Sequence, residues 1–228
     1  EFQHEVSIHA PALADVEIVD EEQPVDALRI VGDMVGAGEV DLAIHGGILS
    51  AALIGDLFHG ESKLIQSGRI VSHVAFVTDG VVNDSPDFNT KLGITQNAIE
   101  LAHSIGVPKP KVAVLGAVEV VYPQMPVTME AAALAKMGDR GQIKGAFVDG
   151  PLSFDCAVDS FAAQSKGIKK SDVAGDADIL IAPDAATAHG VYEAMQLFGD
   201  NQVGGVVVGG RVPFALSFPS DSVNTRFH

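Results

Sequence analysis

The sequence predicts an α/β protein with helices layered around a mostly parallel sheet, and three observations predict it. Short apolar runs alternate along the chain with longer segments of helical spacing. Between Asp178 and Pro213, an apolar run closed by Pro183, a helical segment and a second apolar run at Val206–Val208 follow one another so closely that they read as a βαβ unit, which needs parallel strands and a right-handed crossover. Polar residues gather where the apolar runs end, which is where such sheets bind ligands.

Taken in order, Val16–Val19 alternates as a short edge strand would. Pro24 to Val35 has helical spacing, with proline in its first turn and Gly36 after its end. Val40–Ile44 reads as a strand that runs into His45-Gly46-Gly47, and a helix follows over roughly Leu49 to Phe58. Val71–Val77 is the next strand, then a loop-rich stretch, then a helix from Asp87 to Ile105 closed by Gly106. Lys111–Leu115 is a strand, and Thr128 is placed to cap a helix running to about Met137, with Glu130 in its first turn. Gly145–Val148 is a strand that ends at Asp149-Gly-Pro151, with a helix starting just beyond. Asp184 can cap a helix carrying Val191, Met195, Leu197 and Phe198, which Gly199 stops. One more strand-like piece follows Phe214.

Composition narrows the function. No run approaches the roughly 20 apolar residues of a membrane-spanning helix, and Glu1-Phe-Gln-His lacks the basic and apolar regions of a signal peptide. Cys156 is the only cysteine, so no internal disulfide forms, which fits a reducing, cytoplasmic setting. With 30 acidic against 14 basic residues and a net charge of −16, the surface repels nucleic acid, and no basic stripe interleaved with aromatics is present. An acidic chain still binds a small anion if backbone amides and one or two basic groups face inward.

The polar clusters at the expected strand ends are His45-Gly46-Gly47 with Ser50, Thr78-Asp79, Glu119, Asp149-Gly-Pro with Asp155, Asp184 with His189, and Gly209-Gly210-Arg211. A glycine pair between strand and helix, with Ser50 in the first helical turn, is either an anion cradle or a plain tight turn. His189 is either a solvated residue of a first helical turn or a near-neutral acid–base group. Cys156 reads as a small buried hydrophobe more readily than as a nucleophile. The acidic loop residues have no repeated spacing that would mark a metal site.

The chain resembles the phosphate acetyl/butyryl transferases from about Ala27 to Ser222, and most closely their butyryl branch, as a diverged member. The matches are Gly116-Ala-Val-Glu119 with Pro123-Gln-Met-Pro-Val-Thr128, Lys136-Met137, and Arg140-Gly-Gln-Ile-Lys-Gly145. They continue through Asp149-Gly-Pro-Leu-Ser-Phe-Asp155, Val173-Ala-Gly-Asp-Ala-Asp-Ile-Leu180, Pro183-Asp184, Tyr192 and Gly204 to Pro213. The resemblance implies a layered α/β/α fold of two domains, similar to the isocitrate and isopropylmalate dehydrogenases. Residues 1–70 and 217–228 would form the first domain, incomplete at both ends relative to the family, and 71–216 an inserted second domain. It also implies a homodimer, no cofactor and no metal, with CoA and phosphate as substrates of a transfer that turns acyl-CoA and phosphate into acyl phosphate and CoA. Such a reaction needs donors for phosphate oxygens and for the developing oxyanion, and a base for the thiol.

Carried over residue by residue, the resemblance assigns catalytic roles to Ser50 and Asp221. It assigns substrate contacts to Gly46, Gly47, Asp155, Asp184, His189, Gly209, Gly210, Arg211 and Ser222. This chain departs from the pattern at His45, where the butyryl branch has lysine, and at Ala186-Thr-Ala-His189, where the family has Glu-Ala-Gly-Asn. It departs again at Phe218-Pro219, where the family has Ser-Arg, and at Asn224-Thr225, where a carboxylate is expected. Losing a guanidinium fork weakens an anion grip, and proline has no amide to replace it. Arg211 is the substitute at hand. The readings are therefore an active phosphate acyltransferase with a rearranged anion grip, or a homologue that binds an acyl-CoA or other phosphorylated ligand without transfer. An oxidoreductase on the same fold ranks below both, because no cofactor fingerprint is present.

Overall fold

The computed structural model describes residues 17–44, 63–199 and 203–216. Within them, six helices and eight strands alternate. The strands are β1 Ala43–Ile44, β2 Ser72–Val74, β3 Val77–Thr78, β4 Lys111–Leu115, β5 Phe147–Leu152, β6 Ile179–Ile181, β7 Gly205–Val208 and β8 Phe214–Leu216. The helices are α1 Pro24–Ala37, α2 Phe88–Ser104, α3 Pro126–Asp139, α4 Phe154–Val158, α5 Ser160–Ser165 and α6 Ala185–Phe198.

All eight strands form one sheet in the order β1-β8-β7-β2-β3-β6-β4-β5. The β3–β6, β6–β4, β4–β5 and β1–β8 pairs are parallel, whereas β2 is antiparallel to both β3 and β7, and β7 to β8. It follows that β3, β4, β5, β6 and β7 run one way and β1, β2 and β8 the other. The sheet is covered on both faces, and the period-2 alternation of its strands shows how. Val112, Val114, Ile179 and Ile181 join Ile94, Ala98 and Ile99 of α2 and Ala131 and Leu134 of α3 in one apolar cluster. The intervening Ala113, Leu115 and Leu180 join Cys156 and Ala157 of α4, Ala163 of α5, and Ala188 and Tyr192 of α6 in a second. A third cluster sets Val35 of α1 against Ala43, Val207, Phe214 and Leu216 at the β1–β8–β7 end. The layering is the α/β/α arrangement that the alternation of elements predicts.

Local chemistry explains the boundaries. Asp87 and Asp184 cap α2 and α6, accepting the amides of Thr90 and Thr187 at 2.8 and 2.7 Å. Gly199 ends α6. Several expectations are corrected. Residues 17–23 carry no strand, and α1 passes Gly36 to end at Gly38, whose φ of 75° suits only glycine well. The strand expected over Val40–Ile44 is confined to Ala43–Ile44. Val71–Val77 is not one strand: the chain reverses at Ala75-Phe76 so that Val74 pairs with Thr78 across an antiparallel β2–β3 contact. Thr128 does not cap α3, which starts at Pro126. Its hydroxyl, inside the first turn, accepts the Tyr122 amide at 2.8 Å and donates to the Met125 carbonyl at 2.8 Å. The strand expected to stop at Val148 continues through Pro151 to Leu152. The βαβ pair β6 and β7 is parallel, as expected, but β3 and β2 lie between the two strands. The helix expected over Leu49–Phe58 lies outside the described residues.

Candidate functional site

The shared direction of β3 to β7 brings most of the motif residues to one edge of the sheet. Asp79 follows β3, Glu119 follows β4, Ser153 and Asp155 follow β5, Asp184 follows β6, and Gly209-Gly210-Arg211 follow β7. They share an edge without sharing a pocket. β7 and β5 are five strand steps apart, roughly 24 Å at about 4.8 Å per step. β1 and β8 end at the opposite edge. Gly46, Gly47, Ser50, Asp221 and Ser222, with Phe218-Pro219, lie outside the described residues.

At the end of β7, packing accounts for the glycines. A Cβ on Gly209, whose φ is 88°, would lie 1.9 Å from the Ile70 carbonyl oxygen, and one on Gly210 would lie 2.9 Å from that of Leu64. The Arg211 amide donates to the Leu64 carbonyl at 2.9 Å, and its side chain is exposed. At the ends of β3 and β6, buried Asp79 accepts the amides of Val81 and Val82, each at 3.0 Å, and the Asn83 side-chain amide at 2.5 Å. Burial pushes its carboxyl up, against the pull of these hydrogen bonds. Asp184 is occupied as the α6 cap, and His189, one turn on, has its Nε2 3.7 Å from the Glu193 carboxylate. The His189 amide lies 3.6 Å from where a Cβ on Gly80 would stand, so the ends of β3 and α6 adjoin.

The most connected group lies at the ends of β4 and β5, where Lys166, just past α5, closes a cluster. Its ammonium donates to Glu119 Oε1 at 3.0 Å, Ser153 Oγ at 2.9 Å and Asp155 Oδ1 at 3.0 Å. The Ser153 hydroxyl donates toward Asp155 Oδ1 at 2.6 Å and also contacts Glu119, and the Cys156 amide donates to Asp155 Oδ1 at 2.9 Å. The hydrogen bond from Ser153, then that from Lys166, holds the Asp155 carboxyl down at about 2. Burial pushes Glu119 up, but the bonds from Ser153 and Lys166 outweigh it and leave its carboxyl below the usual range. Glu119 and then Asp155 hold the Lys166 ammonium above its usual range.

That arrangement decides what the cluster can do. The Ser153–Lys166 spacing suits a serine–lysine nucleophilic pair, but an ammonium held charged by two carboxylates cannot take the hydroxyl proton. Ligand atoms of Glu119, Asp155 and Cys156 lie within 4.8 Å of one another, as metal ligands do. The Lys166 ammonium already sits against both carboxylates, however, and burial raises the Cys156 thiol so that it stays protonated. The cluster is a hydrogen-bonded tie between the segments after β4 and β5, in which one ammonium is shared by two carboxylates. Lys166 is the member that the sequence does not reveal: it stands 11 residues from Asp155 with no local motif around it.

A cavity of about 700 Å³ runs beside the outer edge of β5, lined by Lys109, Phe147, Lys169, Lys170 and Ser171 among others. Asp139, Asp149 and Asp172 line it too, so its charge is balanced; of the polar motif residues it includes Asp149 but not Asp79, Glu119, Asp155, Asp184 or Arg211.

A sheet sandwiched between helices, with acidic and glycine-rich turns along the carboxyl edge of its major strand set, defines an α/β protein of the open-sheet, ligand-binding class. Comparison with known proteins gives the family. The family described as "Phosphate acetyl/butaryl transferase" matches residues 14–227. Phosphate butyryltransferase of Clostridium acetobutylicum is 37% identical over 225 residues, 94% of this chain and 74% of that protein. Phosphate acetyltransferase of Thermotoga maritima is 38% identical over 216 residues, 90% of this chain and 73% of that protein. The crystal structure of a branched-chain phosphotransacylase from Enterococcus faecalis superposes with a TM-score of 0.78 at 31% identity, over 93% of this chain and 78% of the other. The chain belongs to the phosphate acetyl/butyryl transferase family.

Proposed function

We propose that this protein is a phosphate acyltransferase that interconverts a short-chain acyl-CoA and phosphate with an acyl phosphate and CoA. In the forward direction a phosphate oxygen forms a bond to the thioester carbonyl carbon. The carbon–sulfur bond then breaks and CoA leaves as its thiolate, to be protonated. The observation that carries this reading is identity of 37% and 38%, over at least nine-tenths of the chain, to a phosphate butyryltransferase and a phosphate acetyltransferase.

In this reading the amides of Gly46 and Gly47 and the Ser50 hydroxyl hold phosphate oxygens and the oxyanion, and Asp221 takes the thiol proton in the reverse direction. Ser222, His189 and Arg211 contribute to binding, with Arg211 in place of the guanidinium absent at Phe218-Pro219. Asp184 serves by capping the helix that carries His189, and Gly209 and Gly210 by packing the turn that carries Arg211. Asp155 acts through the Lys166 cluster, where its oxygens are engaged. Residues 1–70 with 217–228, and 71–216, form the two domains of the cytoplasmic enzyme, and CoA and phosphate are substrates without a further cofactor. A homodimer is supported by the exposed apolar stretch Val120, Val121 and Tyr122, next to Glu119, and by exposed Phe154, next to the Ser153 that Glu119 contacts; Met129, Val158 and Phe161 are exposed too. The second reading, binding of an acyl-CoA or other phosphorylated ligand without transfer, is favoured by Phe218-Pro219.

Thiol release from acetyl-CoA and butyryl-CoA, each with and without phosphate, separates the two. Phosphate-dependent release is expected, and the preferred chain length identifies the substrate. Calorimetric binding of CoA with no release from either thioester would make the protein a binding homologue.

A further inference from the structure

The chain has 14 cations for 30 carboxylates, and nine of the cations are lysines, all among the described residues. Lys63, Lys91, Lys111, Lys136 and Lys166 each form an ion pair. Among the described residues Lys109, Lys144, Lys169 and Lys170 form none, and Lys109, Lys169 and Lys170 all line the cavity of about 700 Å³ beside β5. In number its three ammonium groups match its three carboxylates, but two of the carboxylates are already engaged. Asp139 takes the Lys136 ammonium at 3.0 Å, and Asp149 accepts the Gly150 amide at 2.8 Å and the Ser171 hydroxyl, which leaves Asp172. With Lys136 counted beside its partner, four ammonium groups stand with three carboxylates here, in a chain of net charge −16. A locally positive space draws anions while the rest of the surface repels them, and ammonium groups around one space repel each other until an anion enters.

We propose that this cavity binds an organic molecule carrying two or more phosphate groups. Lys109, Lys169 and Lys170 donate to phosphate oxygens in charge-assisted bonds, and Ala135, Ala146, Val148 and the Phe147 ring form the wall that takes the organic part. The Lys109 ammonium is held beside that wall, 3.5 Å from the centre of the Phe147 ring. The volume falls within the range of about 300–1,000 Å³ that small-molecule sites span. Of the described residues given roles in acyl transfer, none lines the cavity, so the site stands whether or not the protein transfers acyl groups. A free nucleotide and CoA both carry an organic diphosphate, and the test separates them.

Calorimetry with ADP, pyrophosphate and CoA compares wild type, Lys169→Met/Lys170→Met, and a control, Arg29→Met/Lys63→Met, that removes two charges beside α1 at the other end of the sheet. Wild type is expected to bind ADP more tightly than pyrophosphate. The Lys169→Met/Lys170→Met variant weakens ADP roughly a hundredfold, about tenfold for each charge-assisted bond, and the control changes it by less than about twofold. Because neither Lys169 nor Lys170 forms an ion pair, that variant keeps the wild-type melting profile, and lost binding is not lost fold. Acetylation of lysines by an activated ester, read by mass spectrometry, locates the ligand: ADP shields Lys109, Lys169 and Lys170 and leaves Lys144 as reactive as before. An equal loss of CoA affinity in the Lys169→Met/Lys170→Met variant would assign the diphosphate to CoA, and unchanged CoA affinity would assign it to a free nucleotide; both support the site. No binding of ADP, ADP no tighter than pyrophosphate, an equal loss in the control, or equal shielding of Lys144 would each overturn it.

Discussion

At Gly209 two explanations of one residue compete, and the structure separates them. In an anion cradle, glycine lets the backbone approach a ligand. Here the space beside its Cα is filled by the protein, since a Cβ would stand 1.9 Å from the Ile70 carbonyl and 2.7 Å from the Asn97 amide nitrogen. That nitrogen in turn donates to the Ile70 carbonyl at 2.8 Å and the Ser72 hydroxyl at 2.9 Å, so it has little freedom to move. Gly209→Ala must therefore displace backbone as well as adopt a φ of 88°, at a cost of about 3 kcal/mol or more. In a chain of this size that lowers Tm by roughly 6–12 °C, readable by calorimetric melting. An unchanged Tm together with weakened CoA binding would return Gly209 to the ligand site. The motif was legible in the sequence; that its glycines serve packing was not, because the Ile70 carbonyl and the Asn97 side chain reach it from far along the chain.

The elements that could be read from sequence are those whose ends carry their own chemistry. Asp87, Asp184 and Gly199 mark helix ends through bonds to residues within a turn, and each was placed correctly. Asp184→Ala removes the acceptor for the Thr187 amide, which costs about 1 kcal/mol, or roughly 2–4 °C in Tm. Asp184→Asn or Ser should recover most of that loss. If Asp184→Ala melts like wild type but loses CoA affinity, the carboxylate is serving a ligand instead. The misread elements lacked local signals. Nothing in Ala75-Phe76 announces a reversal, with no glycine, proline or asparagine there, and what sets the turn is antiparallel pairing of Ser72–Val74 with Val206–Val208, over 130 residues away. Thr128 has the composition of a cap, but Pro126 starts the helix earlier and leaves its hydroxyl to pin the Tyr122 loop.

Across the whole molecule, the alternation of strands and helices gives the three layers but not the direction of each strand, and direction distributes the candidate site. Apolar runs read identically in either sense, so the opposed course of β1, β2 and β8 appears only in the pairing. The same scale governs assembly. Val120 and Val121 are 63% and 57% exposed, and Tyr122, Met129, Phe154, Val158 and Phe161 are exposed as well. These residues follow β4 and β5, the strands at one end of the sheet, where a second copy can pack without covering the β1–β8 end. A two-fold interface uses each patch twice. Val121→Asp therefore places two carboxylates in it, and at about 2 kcal/mol for each buried valine lost, the dimer Kd rises by roughly a thousandfold. Light scattering after size exclusion at micromolar concentration should show wild type as a dimer and Val121→Asp as a monomer with an unchanged melting profile above its dissociation. A monomeric wild type, or a dimer indifferent to Val121→Asp and Phe161→Glu alike, would mean that this patch is not where two copies meet.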